Sequence, residues 1–261
     1  MMLPVPETAA NAASSMRSLD RSLDVLDCLQ RSEAPLRLSD VAARTGLTLP
    51  TASRILAALE ARGYVASDVK RFRLGASVLG AAHAFLLTDP LVEASRHHLQ
   101  HLASVTGLTC SLYERVGLER VLVARVDGRW PLRYELPIGR RLPLYLGAGK
   151  AIAVDLDDAD LQALEAHAAA HPDPSGAPFD LDALRADLAG VGERGFHISL
   201  GERAAGIIAL SVPVRAADGE LLGALSIAGP AEQNPREQVQ AWAAETVRAA
   251  AAIAQARARA V

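Results

Sequence analysis

The stretch LSDVAARTGLTLPTASRILAALE, Leu38 to Glu60, decides how the first third of this chain folds. Apolar residues recur at helical spacing on both sides of Gly46: Val41 and Ala42 before it, then Ala52, Ile55, Leu56 and Leu59. A short helix beginning after Ser39 therefore ends at Thr45, with Gly46 as its terminating residue. Thr48 is placed to cap the next helix, and Pro50 falls in that helix's first turn, where a missing N–H is harmless. This helix runs towards Gly63. The small Ala42 lets the two helices approach closely, Gly46 permits a tight turn, and Leu47 plugs the corner. The pattern is that of a helix-turn-helix, although an ordinary helical hairpin would share it.

The flanking residues narrow the choice. Upstream, Ser18 is a candidate N-cap, and Leu19, Leu23, Leu26 and Leu29 form one helical stripe, which the polar run Gln30 to Pro35 breaks. Downstream, Tyr64–Ser67 and Phe72–Leu74 are β-type runs flanking Asp68–Arg71, a hairpin. Alternation sets Phe72 and Leu74 on one face and Arg71 and Arg73 on the other. Three helices followed by a basic hairpin describe a winged helix. The outward face of the third helix carries Thr48, Thr51, Ser53 and Arg54, short hydrogen-bonding groups with one long cation, suited to reading base edges in a major groove. A plain solvated helix face is the alternative for these four. Lys70, Arg71 and Arg73 would hold phosphates or the minor groove, a salt-sensitive role; Arg17 and Arg21 are further candidates.

From Gly75 onward Val78, Leu79, Ala82, Phe85 and Leu86 form another stripe, which ends before Pro90. A helix this apolar either packs on its own domain or dimerises, and two-fold operators require two winged helices at fixed spacing. Beyond it the reading is a helix from Leu91 to Val105, then strands at Thr109–Tyr113, Val121–Val126 and Leu132–Glu135. The run Gly139–Leu144 precedes Gly147-Ala148-Gly149-Lys150, which opens a helix. Two more helices flank a loop at His171–Pro178. Late strands Ile207–Val212 and Leu222–Ala228 are joined through Asp218-Gly219, and a closing helix runs from Pro235 to the end. Strands and helices in this order give an α+β fold. The expected domains are a disordered leader at 1–15, a winged helix at 16–75, a linker helix at 76–89 and a second domain at 90–261.

The composition sets limits. Half of the 261 residues are hydrophobic, which excludes a disordered chain. Alanine supplies 51 residues against 10 aromatics, a helix-rich balance. The net charge of −3 argues mildly against nucleic acid, but it is unevenly spread: residues 1–80 carry 10 basic and 8 acidic side chains, the remainder 17 and 22. Of the 27 basic residues only Lys70 and Lys150 are lysines, so an arginine signals little by itself. Cys28 and Cys110 cannot alone hold a structural zinc, and two cysteines fit a reduced, cytoplasmic setting. No charged leader precedes an apolar run and no 18-residue apolar stretch exists, so neither a signal peptide nor a membrane span is expected.

Several segments resemble, in order and across residues 16 to 255, the IclR-type transcriptional regulators. They are Leu38–Gly46, Thr48–Leu59, Arg62-Gly63-Tyr64, Phe72–Gly75, Thr106-Gly107-Leu108, Gly139–Leu144, Gly147–Ala151, Gly195-Phe196, Ala209–Pro213 and Leu225–Pro230. The resemblance implies a winged helix, a linker helix that dimerises and a GAF-like mixed α/β effector-binding domain. It further implies a homo-oligomer on a two-fold or pseudo-palindromic operator in duplex DNA, responsive to a small organic acid, aromatic acids included. It carries effector contacts onto Leu142, Gly147, Ala148, Ser199, Ile207, Ala209 and Ser226. The physics agrees in part: a glycine-bearing turn at a helix start offers backbone N–H groups to a carboxylate, Ser226 adds a hydroxyl, and Leu142 and Ile207 supply apolar wall. Two features depart from the family form: the segment Leu144-Tyr145-Leu146 before Gly147 is about one residue shorter, with Tyr145 placed to reshape the cavity, and Ala209 replaces a residue that is polar in some members; Arg133, Arg140 and Arg141 are candidate partners of an acid.

Other motifs dissolve on inspection. Gly190–Gly195 matches GxGxxG but follows a helix, and Gly147–Lys150 lacks the hydroxyl residue of a P-loop. His97 and His101 share a helical face without further ligands, so no metal is expected, and no cofactor is implied. No GxSxG elbow or nucleophile–base pair is present, so no catalytic residue is assigned. The alternative to a regulator is an enzyme acting on a small acid, with the N-terminal domain as an interaction module.

Overall fold

The computed structural model describes residues 9–129, 136–170 and 179–260. The start of the expected leader, the strand at 132–135 with Arg133, and the loop at 171–178 lie outside the described residues. The chain divides into two compact units, Met1–Phe85 and Leu86–Val261.

The first unit contains α1 (Ala9–Gln30), β1 (Leu36–Arg37), α2 (Leu38–Thr45), α3 (Leu49–Glu60), β2 (Val65–Asp68), β3 (Arg71–Leu74) and most of α4 (Ser77–Thr88). Its core is Val25, Leu29, Leu36, Val41, Leu56 and Val65, with Ile55, Leu59, Phe72 and Leu74 packed around them. Gly46 terminates α2 at φ +67°, and the N–H of Leu47 reaches back to the Ala42 carbonyl at 3.1 Å. That six-to-one bond satisfies a carbonyl the helix end would otherwise leave bare. The Asp40 side chain accepts from the Arg37 N–H at 2.9 Å, so α2 starts at Leu38, two residues before the expected start after Ser39.

Three expectations change here. The first helix begins by Ala9, because Ala9, Ala10, Ala12 and Ala13 are strong helix formers; Ser18 lies inside it and accepts from the Ser22 hydroxyl. Residues 9–15 are thus helix where a disordered leader was expected. The Leu19–Leu29 stripe splits: Leu29 is buried, but Leu19 and Leu23 are more than half exposed, as is Met16. Third, the run read only as a break leads into β1, which pairs Leu36 with Phe72 and Arg37 with Arg71, completing a sheet ordered β1-β3-β2.

The second unit is built on a six-stranded antiparallel sheet ordered β6-β5-β4-β9-β8-β7. Its strands are β4 (Thr109–Val116), β5 (Glu119–Val126), β6 (Arg141–Pro143), β7 (His197–Leu200), β8 (Ile207–Arg215) and β9 (Leu221–Pro230). Helices α5 (Pro90–Thr106) and α10 (Ala243–Ala260) bury one face around Leu102, Leu112, Leu210, Leu225 and Ile227. Helices α6 (Gly149–Ala153), α7 (Asp158–Ala170) and α8 (Leu181–Arg194) cover part of the other, around Leu122, Leu144, Ile152 and Leu164. Burial on both faces explains why β8 and β9 read as apolar runs without alternation. The closing helix is in two pieces, α9 (Arg236–Ala241) and α10, separated at Trp242. Gly190–Gly195 lies at the end of α8, with Gly195 its C-cap. No helix among the described residues is long and apolar enough to cross a membrane.

Asp89 caps α5, accepting from Leu91 and Val92 N–H at 2.9 and 2.8 Å. Glu114 of β4 lies beside it; burial, reinforced by the Asp89 charge and opposed by Arg257 of α10, pushes its carboxyl up to about 7. The folded chain therefore binds more protons than the unfolded one between pH 4.5 and 7, and stability falls as pH rises through that window. We expect melting temperatures to decline from pH 5 to pH 8 in the wild type and more shallowly in Glu114→Gln; parallel profiles would contradict this.

Candidate DNA interface and effector pocket

In the first unit, Thr48, Ser53 and Arg54 are exposed on α3 and Thr51 is half-buried, while Ala52 and Leu56 anchor the opposite face. Thr48 occupies the N-cap position, but its hydroxyl meets that of Thr51 at 2.9 Å instead of capping a backbone N–H. The wing tip is a two-residue turn in which Val69 (φ +45°) and Lys70 (φ +60°) both adopt the left-handed conformation, an arrangement costly for a β-branched residue. Lys70, Arg71 and Arg73 are exposed there, opposite the core-facing Phe72 and Leu74. Arg71 donates to the Pro35 carbonyl at 3.2 Å and Arg73 to that of Leu74 at 3.3 Å. The sequence reading missed Arg37, which β1 sets directly opposite Arg71 on the exposed side of the small sheet, where two like charges repel. Only recognition of a two-residue strand would have revealed it.

In the second unit, one cavity opens on the sheet face that carries α6–α8. Small side chains leave the space: Ser111, Ser226, Ala209 and Ala228 lie on adjacent strands, and their registers pair Ser111 with Ser226 and Ala209 with Ala228. Six of the seven expected contacts, Gly147, Ala148, Ser199, Ile207, Ala209 and Ser226, line it together. Leu142 does not; its side chain is taken up in the core beneath α6–α8, and its cross-strand partner Arg120 lines the cavity instead. Arg140 and Arg141 do not line it either; Arg141 faces Glu119 at 3.6 Å. The arginines that do are Arg120, Arg125 and Arg203. Tyr145 lies outside the lining, packed edge-on against Phe179 with ring centres 5.2 Å apart. The open volume is about 40 Å³, space for a few waters.

The wall is held by buried charge. Arg120, 1% exposed, donates to the carbonyls of Pro143 and Leu146 and lies over the Tyr113 ring, tying the 144–147 turn to β5. Gly149 permits this, since a Cβ there would meet Arg120 Nη1 at 2.4 Å. Lys150 is 7% exposed and bridges Asp187 at 2.6 Å and Glu202 at 2.9 Å. The Glu202 carboxylate also accepts from the Gly147 N–H at 2.8 Å and meets His197 Nε2 at 3.0 Å. Burial would raise its pKa, but the His197 hydrogen bond, the Lys150 charge and the Gly147 N–H outweigh it and hold the carboxyl at about 2.

The turn expected to offer a free N–H thus has Gly147 already engaged, and α6, five residues long, adds little dipole. Nothing in the sequence pairs Glu202 with Gly147; they lie 55 residues apart. Asp187, His197 and Glu202 could together face a metal ion, but the Lys150 ammonium already supplies a cation to both carboxylates. His97 and His101 are exposed on α5.

Residues 83–255 match the family model for the bacterial transcriptional regulator IclR C-terminal domain, and residues 18–69 that for the IclR helix-turn-helix domain. The chain belongs to the IclR family. It is 29% identical over 224 residues to the HTH-type transcriptional regulator BhcR of Paracoccus denitrificans, covering 85% of this chain and 80% of that one. It is 25% identical over 225 residues to the transcriptional repressor AllR of Escherichia coli K12, covering 85% and 83%. Among solved structures, the transcriptional regulator RHA06195 from Rhodococcus sp. RHA1 superposes with a TM-score of 0.70 at 29% identity, covering 94% of this chain and 99% of that one.

The buried ion cluster gives this IclR-family chain a testable dependence. Glu202's contribution to stability is present above pH 4.5 and lost as the pH falls towards 2. Lys150→Met removes one partner of a buried pair and is expected to cost about 3 kcal/mol. Its acid unfolding should also begin at higher pH than the wild type's, as read by circular dichroism. Coincident acid limbs would show that Lys150 does not hold Glu202 ionised.

Proposed function

We propose that this IclR-family regulator binds duplex operator DNA through α3 and the wing, and that a small organic acid in the second unit's cavity changes that grip. The carrying observation is the convergence of Gly147, Ala148, Ser199, Ile207, Ala209 and Ser226 with three arginines around one cavity. Such a site recognises an anion; the cavity's size favours a short-chain acid, and an aromatic acid requires the pocket to open. The Ser226 hydroxyl donates to the Leu210 carbonyl and accepts from Ser211, so its proton is held by the backbone and no base among the described residues is placed to activate it as a nucleophile. That favours the regulator over the enzyme reading. Effector binding acts only if the DNA-competent and incompetent states bind the acid differently.

On the DNA side, Thr48, Thr51, Ser53 and Arg54 read base edges, while Lys70, Arg71, Arg73 and Arg37 meet phosphates. α4 buries none of its residues, and Leu79 and Leu87 are more than half exposed. Together with Met16, Leu19 and Leu23 of α1 this is apolar surface that a second copy would cover, giving a homo-oligomer on a pseudo-palindromic operator. The reading places the protein in the cytoplasm with its DNA.

In mobility shifts on the promoter beside its own coding region, Arg54→Ala should cost about 1–3 kcal/mol and relax sequence preference. Lys70→Ala and Arg71→Ala should weaken binding uniformly and each lower the salt slope by about 1. Unchanged shifts in all three would remove α3 and the wing from the interface. Leu79→Glu should reduce the sedimenting mass of the free protein; an unaltered mass would place the oligomer contact elsewhere.

A further inference from the structure

The carboxylate already seated in the cavity carries a consequence for how an acid enters. Glu202 lies on the connection between β7 and β8, and its Oε2 takes the Gly147 N–H while Oε1 takes Lys150 and His197. These are the donors that an acid bound at this turn would use. We propose that Glu202 is a resident carboxylate that closes the effector-free pocket, and that an acid effector binds by displacing it from Gly147 and Lys150. The inference rests on the acid reading of the cavity given above.

Three features make displacement the economical route. The first is room. With Glu202 in place the open volume is about 40 Å³, and its departure would free further space together with the donors it holds. The second is the mounting. Glu202 sits on a short strap, and Arg203 and Ala204 beside it line the same cavity. The strap is bounded by Gly201 and Gly206, both at positive φ (+69° and +74°), with open space where a Cβ would stand. The Gly201 N–H is anchored on the Ile207 carbonyl at 2.8 Å and the Gly206 carbonyl on the Ala231 N–H at 2.8 Å, so rotation between these anchors moves the strap at the cost of the Ile207 N–H to Ala204 carbonyl bond while leaving the β7–β8 pairing of Ser199 with Ala209 in place.

The third is charge. Exchange of one carboxylate for another leaves the site's charge unchanged. Lys150 retains Asp187, at 2.6 Å in this structure, as a second counter-ion, and the released Glu202 passes into water as an ion. A neutral ligand offers no such exchange, since it would leave Lys150 with half its counter-charge in a buried position. The resident carboxylate therefore selects for acids while lowering their apparent affinity by the fraction of time it vacates the turn. Movement of the strap, which the acid alone causes, distinguishes the loaded state from the empty one.

The test is calorimetric titration of the full chain with sodium pyruvate and with sodium benzoate, at pH 7.5, for wild type, Glu202→Ala, Glu202→Gln and Asp187→Asn. Displacement predicts that Glu202→Ala binds a given acid at least tenfold more tightly than wild type. Glu202→Gln, which keeps an oxygen on Gly147 without the charge, should fall between them and carries the comparison if the alanine variant does not fold. Asp187→Asn removes a negative charge from the same lysine without vacating Gly147, and should tighten binding less than threefold. Equal or weaker binding in both Glu202 variants, beside measurable binding in wild type, overturns displacement and leaves the acid reading standing. Equal tightening in Asp187→Asn reduces the effect to bulk electrostatics and also overturns it. No heat from either acid with wild type or the Glu202 variants overturns the acid reading and displacement together.

Discussion

A lysine ammonium buried under a sheet must be neutralised, and much of the second unit is arranged around that requirement. Lys150 is fixed by its place in α6, directly after the Gly147 turn. Its two counter-ions come from elements remote in sequence: Asp187 from α8 and Glu202 from the strap after β7. An unpaired buried ammonium would cost several kcal/mol, so docking of α8 and the strap onto α6 is one electrostatic event. The same event brings Ser199, on the edge strand, to the Gly147 turn, where its Oγ lies 3.7 Å from the position a Cβ would take. The cavity is what remains between these elements and the small residues of β4, β8 and β9.

The winged helix was legible because its signals are local. Gly46, Pro50 and the apolar spacing of α2 and α3 act within single helical turns, and the alternation of Arg71 to Leu74 within one strand. What escaped the sequence were elements too short to show a period, β1 with two residues and β7 with four. Their loss hid Arg37 and His197. The α1 stripe misled for a different reason. Helical periodicity marks a face that will be covered, but does not say whether by the same chain or by another, and Leu19 and Leu23 are bare within this one.

The pocket was legible by resemblance and less so by physics. Gly147 and Ala148 were expected at an anion site, and the structure sets them beside a carboxylate, one supplied by the protein itself. Arginines proved harder to place. With 25 of them in the chain, residue type carries little information, and those noted at positions 140 and 141 do not line the cavity. Arg120 could be read as surface because nothing local announces that its Nη1 will be held by two carbonyls 23 and 26 residues away. Buried charge depends on long-range pairing, which no local spacing reports.

The scarcity of lysine then acquires meaning. Where arginine is the default cation, a lysine marks a place at which a compact ammonium serves better than a planar fork. Lys150 bridges two carboxylates next to Gly149, whose missing Cβ leaves room for the Arg120 guanidinium. Lys70 occupies the wing tip at φ +60°, where a flexible stem on a strained turn can adapt to a phosphate's position better than a rigid fork can. The only two lysines of the chain therefore fall one in each unit, at the wing and at the pocket wall. In this composition the exception to the arginine habit is a better guide to the candidate sites than the cations themselves.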